Sequence, residues 1–132
     1  MVERKQAEIT EFIGVVEKCE IETNELKDKV QHQYHIFIKP ENIEIKGKSG
    51  FMHEWIRIPG TSDESHIPEG SVLDKFVTEL EIIDKTVKNI KTVPEVFKSI
   101  IGKKYKFVHK KLGKSFNGNE AKLYWVPITQ ID

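Results

Sequence analysis

Aromatic and basic side chains alternate along residues 51–58, a pattern that predicts a β-strand. Because side chains of a strand point alternately to its two faces, His53, Trp55 and Arg57 fall on the same face. An indole ring stacks on any nucleobase, and a neighbouring guanidinium group neutralises phosphate or stacks itself. The opposite face carries isoleucines that compete for the core, so the pattern leaves open whether Trp55 is a core or a surface residue.

A second segment, residues 31–45, repeats this combination on another predicted strand. His35, Phe37 and Lys39 alternate on a single face of it. Isoleucines flank Phe37 on both sides, which favours a core position for its ring. As a surface residue, Phe37 would be a second stacking platform, and each stacked base adds about 1–3 kcal/mol in proteins that bind single strands.

Seven lysines and one histidine, without any acidic residue, lie in a 17-residue window that ends at Lys114. Such a run creates a local positive potential that the overall composition hides. A predicted strand in this window carries Lys104, Lys106 and Lys110 on one side. The loop that follows adds Lys114 and also Phe116, an aromatic residue among small polar neighbours. A merely solvated face is the other interpretation of a charge run.

Other reactive residue types lack the partners that their chemistry needs. His32 and His35 are three residues apart, on opposite faces of a strand, and no cysteine or acidic cluster completes a tetrahedral metal set. The single Cys19 excludes an intramolecular disulfide, and no serine lies in a nucleophile elbow. The glycines beside Lys48 do not have the spacing of a phosphate-binding loop. The sequence therefore predicts neither an enzyme nor a metal or cofactor site.

The chain has 132 residues with 21 Lys+Arg and 21 Asp+Glu, so its formal net charge is zero. Residues 1–66 hold 9 basic and 13 acidic residues, a charge of −4, whereas residues 67–132 hold 12 and 8, a charge of +4. Zero net charge excludes a strongly basic, indiscriminate binder of polyanions but leaves room for a moderate, salt-sensitive one. The length fits a single domain over residues 1–132. Short apolar runs and a polar N-terminus predict a cytoplasmic protein that does not enter the membrane.

Three strands are predicted in the first half of the chain, over residues 9–21, 31–45 and 51–58. Gly14 lies in the middle of the first strand, where a glycine indicates a bulge or a tight bend. The polar residues 22–29 predict a loop or hairpin turn. Pro40 interrupts the second strand, so the part beyond it is a separate short strand or a bulged continuation.

Helical periodicity replaces this alternation after the third strand. Ser71 is a good N-cap, and the helix it begins should end within residues 80–86. Residues 82–93 suit either a further helix or a sixth strand. Pro94 can begin a short helix that stops before Gly102.

Two more strands complete the pattern, over residues 103–110 and 121–128. We therefore expect a mainly β protein with the order βββ-α-ββ and an extra helix or strand left open within residues 82–101. This is the element order of the five-stranded oligonucleotide/oligosaccharide-binding (OB) barrel. The segment Ile100–Val108, together with the glycine-rich loop and last strand after it, resembles small archaeal or phage single-stranded DNA-binding proteins with the OB fold. Ser71–Lys75, at the start of the helix, adds to the resemblance.

The resemblance implies a binding face on the second and third strands, flanked by the first-to-second and fourth-to-fifth loops. The candidate binding residues are His53, Trp55, Arg57, Phe37, Lys39, Lys104, Lys106, Lys110, Lys114 and Phe116. The expected function is binding of single-stranded nucleic acid, DNA in preference to RNA, by phosphate neutralisation and base stacking with little sequence preference. The alternative is a protein-interaction or assembly subunit, in which the acidic half of one molecule meets the basic half of another.

Overall fold

β-Branched and aromatic residues alternate with polar ones along five segments, and each forms a strand in the computed structural model of the protein. The structure describes residues 10–26, 28–43, 50–60, 67–113 and 122–131. The elements in these ranges are β1 (Glu11–Leu26), β2 (Lys29–Pro40), β3 (Met52–Ile58), α1 (Val72–Ile83), α2 (Lys85–Lys88), α3 (Val93–Ser99), β4 (Lys104–Lys111) and β5 (Leu123–Ile131).

The five strands form one antiparallel sheet with the order β3-β2-β1-β4-β5. The strands β3 and β5 are its two edges, so the sheet is not closed by a backbone ladder in the described part of the chain. This confirms the prediction of a mainly β protein in which a helical region separates three strands from two. The three short helices all lie between β3 and β4.

The strand β1 bends where it passes from one neighbour to the other. Its first residues pair with β4, and the residues from Gly14 onward pair with β2. The bulge lies three residues beyond Gly14, because the register with β2 shifts between Val16 and Lys18. Gly14 has another role, since a Cβ atom there would lie 2.7 Å from Cγ2 of Ile38. A glycine is therefore needed where the two strands approach each other closely.

Of the two predictions for residues 22–29, a loop or a hairpin turn, the hairpin turn is confirmed, although the strands extend further toward it than predicted. β1 continues to Leu26 and β2 begins at Lys29, with regular pairing from Glu22 opposite Gln33 to the end of the hairpin. Polar side chains are compatible with this ribbon because no core imposes an apolar alternation on it. β2 ends at Pro40, the residue predicted to interrupt it, and residues 44–49 lie outside the described part of the chain.

One face of the sheet is buried against the helices. Phe12 lies at its centre, where its ring stacks on Phe107 at 5.2 Å between centroids and meets the edge of Trp125 at 4.8 Å. Tyr34 stacks on Phe97 of α3 at 4.0 Å. Each such aromatic pair adds about 0.5–1.5 kcal/mol beyond the area it buries. The inward side chains of all five strands thus belong to one core.

The helix α1 begins as the sequence predicts. The hydroxyl of Ser71 accepts from the backbone N–H of Asp74 at 3.1 Å, and the Asp74 carboxylate accepts from the N–H of Gly70 at 2.8 Å. Leu73, Phe76, Val77 and Leu80 form its buried face. The helix ends at Ile83, within the predicted range.

The ambiguous residues 82–93 are helical and turn-forming rather than a sixth strand. Asp84 separates α1 from α2 and is 1% exposed. Its carboxylate accepts from Lys103 Nζ at 2.8 Å, from the hydroxyl of Tyr105 at 2.8 Å and from the N–H of Thr86 at 3.1 Å. This network joins the turn to the start of β4, so the helical connection is fixed to the sheet by one buried acid.

Among the described residues, no helix combines the length and the apolar character needed to cross a membrane.

Candidate functional site

The sheet face opposite the core carries a continuous group of rings on β2 and β3. His35 lies opposite Trp55 in the register, and Phe37 lies opposite His53. We call this group the aromatic face, defined by His35 and Phe37 of β2, His53 and Trp55 of β3, and Phe51 directly before β3. Strand alternation explains it, because the residues between these rings point inward to the core.

The rings of the aromatic face contact one another closely. His35 stacks on Phe37 at 3.9 Å and on Trp55 at 4.6 Å between centroids. His53 stacks on Trp55 at 5.6 Å with an angle of 15° between the planes, and it meets Phe37 edge-on at 5.1 Å. Phe37 is therefore half-buried among surface rings, and its predicted preference for the core is wrong. The flanking isoleucines occupy the core in its place.

Trp55 is the most accessible stacking platform of this face, with 38% of its surface exposed. Its indole Nε1–H donates to Oε1 of Glu22 at 2.9 Å. The N–H is thus satisfied within the molecule, which leaves the ring face as the part of Trp55 suited to stacking on a ligand. The sequence pattern left open whether Trp55 is a core or a surface residue, and in the structure it is a surface residue.

Glu22 extends a chain of hydrogen bonds into the aromatic face. Its Oε2 lies 3.1 Å from Nδ1 of His35, and Nε2 of His35 lies 2.8 Å from Nδ1 of His53. Partial burial would raise the pKa of Glu22, but the hydrogen bonds and the charge interaction with His35, and the bonds from Trp55 and Gln33, lower it. The carboxylate is therefore ionised at neutral pH and orients both rings that it contacts.

Three basic side chains border the aromatic face. The ammonium of Lys18 lies 5.2 Å from the centre of the Phe37 ring and 2.5 Å from the carboxylate of Glu20. Lys39 and Arg57 are exposed at two corners of the face, and neither makes an ion pair with another described residue. The predicted residues His53, Trp55, Arg57, Phe37 and Lys39 are thus brought together on one side of the sheet.

The predicted lysines of β4 are held in ion pairs with acidic residues. Lys104 lies 2.7 Å from Glu41, and Lys106 lies 3.3 Å from Glu11. Lys110 pairs with Glu79 of α1. Lys104 and Lys106 share the sheet face of Trp55 by strand alternation, but Val15 of β1 separates Lys104 from Lys39 in the register.

Lys103 has a structural role that the pattern of lysines did not reveal, because it pairs with the buried Asp84. Burial would raise the pKa of Asp84, but the hydrogen bonds from Lys103, Thr86 and Tyr105 outweigh it and lower the pKa to about 2. The remaining two predicted residues, Lys114 and Phe116, lie outside the described residues.

A buried acid links the two edge strands of the sheet. Glu54 of β3 is 5% exposed, and its Oε1 accepts from the backbone N–H of Trp125 in β5 at 2.5 Å. Its Oε2 accepts from the N–H of Trp55 at 3.0 Å. Burial raises the pKa of Glu54, and the two N–H donors and nearby Lys122 act in the opposite direction. The carboxylate thus connects β3 to β5, two strands that are not joined by backbone hydrogen bonds in the described sheet.

An apolar groove of about 300 Å³ lies elsewhere, between β1 and α3. Its lining includes Cys19, Ile21, Phe97 and Ile101. Burial raises the pKa of the Cys19 thiol to about 12, so this cysteine is protonated at neutral pH and a poor nucleophile. Among the described residues, no three histidines, cysteines or acids come together in a way that could hold a metal ion.

Sequence reasoning missed Glu22, which lies in the segment predicted as a loop or hairpin turn. His35 and Phe51 each lie two positions from a predicted residue of the same segment. This spacing was the signal that places them on the same face. For Glu22 no such signal exists, because the bulge between Val16 and Lys18 changes which residues of β1 face outward.

Comparisons of the chain with family models, with curated proteins and with solved structures return no match.

Proposed function

We propose that the protein binds single-stranded nucleic acid on the aromatic face, DNA in preference to RNA, with little sequence preference. The contiguous stack of rings on β2 and β3 carries this proposal, above all Trp55 with its exposed indole. Every base offers a flat π-face, so stacking on such a platform tolerates any sequence and contributes about 1–3 kcal/mol per base. Lys39 and Arg57 border the rings at positions suited to phosphate contacts, and neither is paired with an acid among the described residues.

The fold supports the proposal through its strand order. An OB barrel has five strands with a helix between the third and fourth, and it binds ligands on the second and third strands. The order β3-β2-β1-β4-β5 is the order such a barrel has when it is opened between β3 and β5. Glu54 brings these edges within one side-chain hydrogen bond of each other, which favours an OB-like barrel that is partly open.

The ion pairs of the molecule favour this function over the assembly of complementary halves. Glu11 and Glu41, from the acidic half, neutralise Lys106 and Lys104 of the basic half within one molecule. Charge that is satisfied internally contributes little to attraction between copies. The same ion pairs leave the β4 lysines less positive charge for binding phosphate. We therefore assign the main electrostatic contacts to the border of the aromatic face.

A fluorescence titration with oligo-dT tests the function directly. Trp125 is 8% exposed and lies in the core, so a base that stacks on the surface quenches Trp55. We expect quenching at low salt that weakens as salt rises, and no quenching in Trp55→Ala. Ile82→Ala, at an exposed position of α1 on the other side of the sheet, is the control and should still bind. Absence of binding by the unmodified protein at low salt, measured also by anisotropy of a labelled strand, would refute the proposal.

A further inference from the structure

The most unusual feature of the aromatic face is a direct hydrogen bond between two histidine rings. Nε2 of His35 and Nδ1 of His53 are 2.8 Å apart, and the other nitrogen of His35 lies 3.1 Å from a carboxylate oxygen of Glu22. An ionised carboxylate only accepts hydrogen bonds, so Nδ1 of His35 carries a hydrogen. When His35 is neutral, its Nε2 is therefore the acceptor and His53 donates from Nδ1.

This arrangement can accept one proton and keep both of these hydrogen bonds. With an added proton, His35 becomes an imidazolium that donates to Glu22 on one side and to His53 on the other. A second proton would place two N–H groups against each other across the 2.8 Å contact. The pair is thus built to change its charge by one unit.

We propose that nucleic acid binds to the aromatic face together with one proton, which the His35–His53 pair takes up; this inference rests on the proposed function. The pair lies between Phe37 and Trp55, where stacked bases would bring phosphates near it. A positive charge there attracts a polyanion, so binding of the polyanion and of the proton favour each other. Affinity should therefore rise as the pH falls.

The surroundings of the pair are close to balanced in charge. Among the described residues, the charged groups on the same face are Glu20, Glu22 and Lys18 from β1, Lys39 from β2 and Arg57 from β3. Partial burial lowers the pKa of His53, and His35 lowers it further, whereas Glu22 acts in the opposite direction. A charge on one ring thus opposes a charge on the other, so the pair holds one proton rather than two, and bound phosphates add the attraction that favours this proton.

The experiment measures anisotropy of labelled oligo-dT, about twelve nucleotides long, over a salt series at about pH 5.5 and about pH 8. Thymine and the phosphodiester do not titrate in this range, so the change belongs to the protein. We expect roughly threefold to tenfold tighter binding at the lower pH, with a salt slope steeper by about 0.7, the value for one more charge on a single strand. In the double variant His35→Gln with His53→Gln both differences should disappear, and in the control His32→Gln, a histidine on the other face of β2, both should persist.

A measurement on the unmodified protein guards against misfolding of the double variant. Histidine-labelled NMR should show both rings following one shared titration of a single proton. Binding with equal affinity at both pH values overturns this inference and leaves the proposed function intact. The inference is also overturned if NMR shows two independent titrations of the rings, or no titration at all. A pH effect on binding that disappears in His32→Gln overturns it as well. Failure to bind at any pH removes the proposed function and this inference together.

Discussion

The indole Nε1–H of Trp55 donates to Oε1 of Glu22 over 2.9 Å, from β3 to β1 and across the intervening strand β2. The same carboxylate contacts His35, whose ring stacks on the indole. A single acid therefore fixes the edges of two neighbouring rings. Rings held in this way do not need to be ordered when a ligand stacks on them, which reduces the entropy cost of binding.

Two substitutions of Glu22 separate its charge from its positioning role. Glu22→Gln removes the charge but keeps an oxygen that can accept from Trp55, whereas Glu22→Ala removes both. We expect Glu22→Ala to bind oligo-dT about twofold to tenfold more weakly than Glu22→Gln, because the indole must then be ordered upon binding. Anisotropy titrations at one salt concentration measure the ratio. Equal affinities of the two variants would show that the hydrogen bond does not organise the site.

A comparison of two lysines tests where phosphate contacts lie. Lys39 borders the aromatic face without an ion pair to another described residue, whereas Lys106 is paired with Glu11. We expect Lys39→Gln to weaken oligo-dT binding and to lower the salt slope by about 0.7, and Lys106→Gln to change the slope by much less. A salt series on both variants measures this. An equal loss in Lys106→Gln would extend the binding surface to β4, as the lysine run first predicted.

The strand alternation of β2 and β3 was enough to predict five of the candidate residues on one face. Alternation has a period of two, so the sequence alone shows which side chains of these strands share a face. The same rule could not place the partners of the β4 lysines. Glu11 and Glu41 are far from Lys106 and Lys104 in sequence, and they meet them only through the register of separate strands.

Two other features could not be predicted, because they depend on tertiary contacts. The sequence of residues 22–29 does not show how far the two strands extend toward the hairpin turn, because turn-forming and charged residues suit both an exposed ribbon and a turn. The position of Phe37 at the surface rather than in the core also depends on tertiary contacts. Ile36 and Ile38 occupy the inward positions, and which of two apolar faces is buried is decided by where the helices pack.

The link between the two edge strands predicts a large effect at Glu54. Both carboxylate oxygens accept from backbone N–H groups, so the amide of Glu54→Gln must direct its NH₂ group at one of these donors. We expect a loss of about 1–3 kcal/mol in the free energy of unfolding, measured by urea denaturation. Glu25→Gln, an exposed position in the hairpin, should lose less than about 0.5 kcal/mol. Equal stability of Glu54→Gln and the unmodified protein would show that this bond does not hold β3 to β5.

The close approach of β1 to β2 predicts that Gly14 tolerates no side chain. A Cβ atom there would meet Ile38 at 2.7 Å and the carbonyl oxygen of Lys39 at 3.0 Å. We expect Gly14→Ala to lower the free energy of unfolding by about 1–3 kcal/mol, the usual cost of overpacking. Gly60→Ala is the matched control, because nothing lies within 4 Å of its Cβ position. Thermal or urea unfolding compares the two, and a Gly14→Ala protein as stable as Gly60→Ala would contradict the close approach.

The buried Asp84 predicts how stability depends on pH. Its pKa is lowered to about 2 in the folded protein, against about 3.9 in an unfolded chain, so the folded state binds the proton less tightly. Its stabilising contribution is therefore complete above about pH 4 and is lost as the pH falls toward about 2. We expect Asp84→Asn to lose about 2–3 kcal/mol at pH near 7, since Lys103 and Tyr105 lose a charged partner, and to lose much less at pH near 2. Urea unfolding at both pH values measures this difference, with Asp28→Asn at the exposed hairpin turn as the control. A gap between Asp84→Asn and the unmodified protein that stays constant with pH would show that the carboxylate is not held ionised by these bonds.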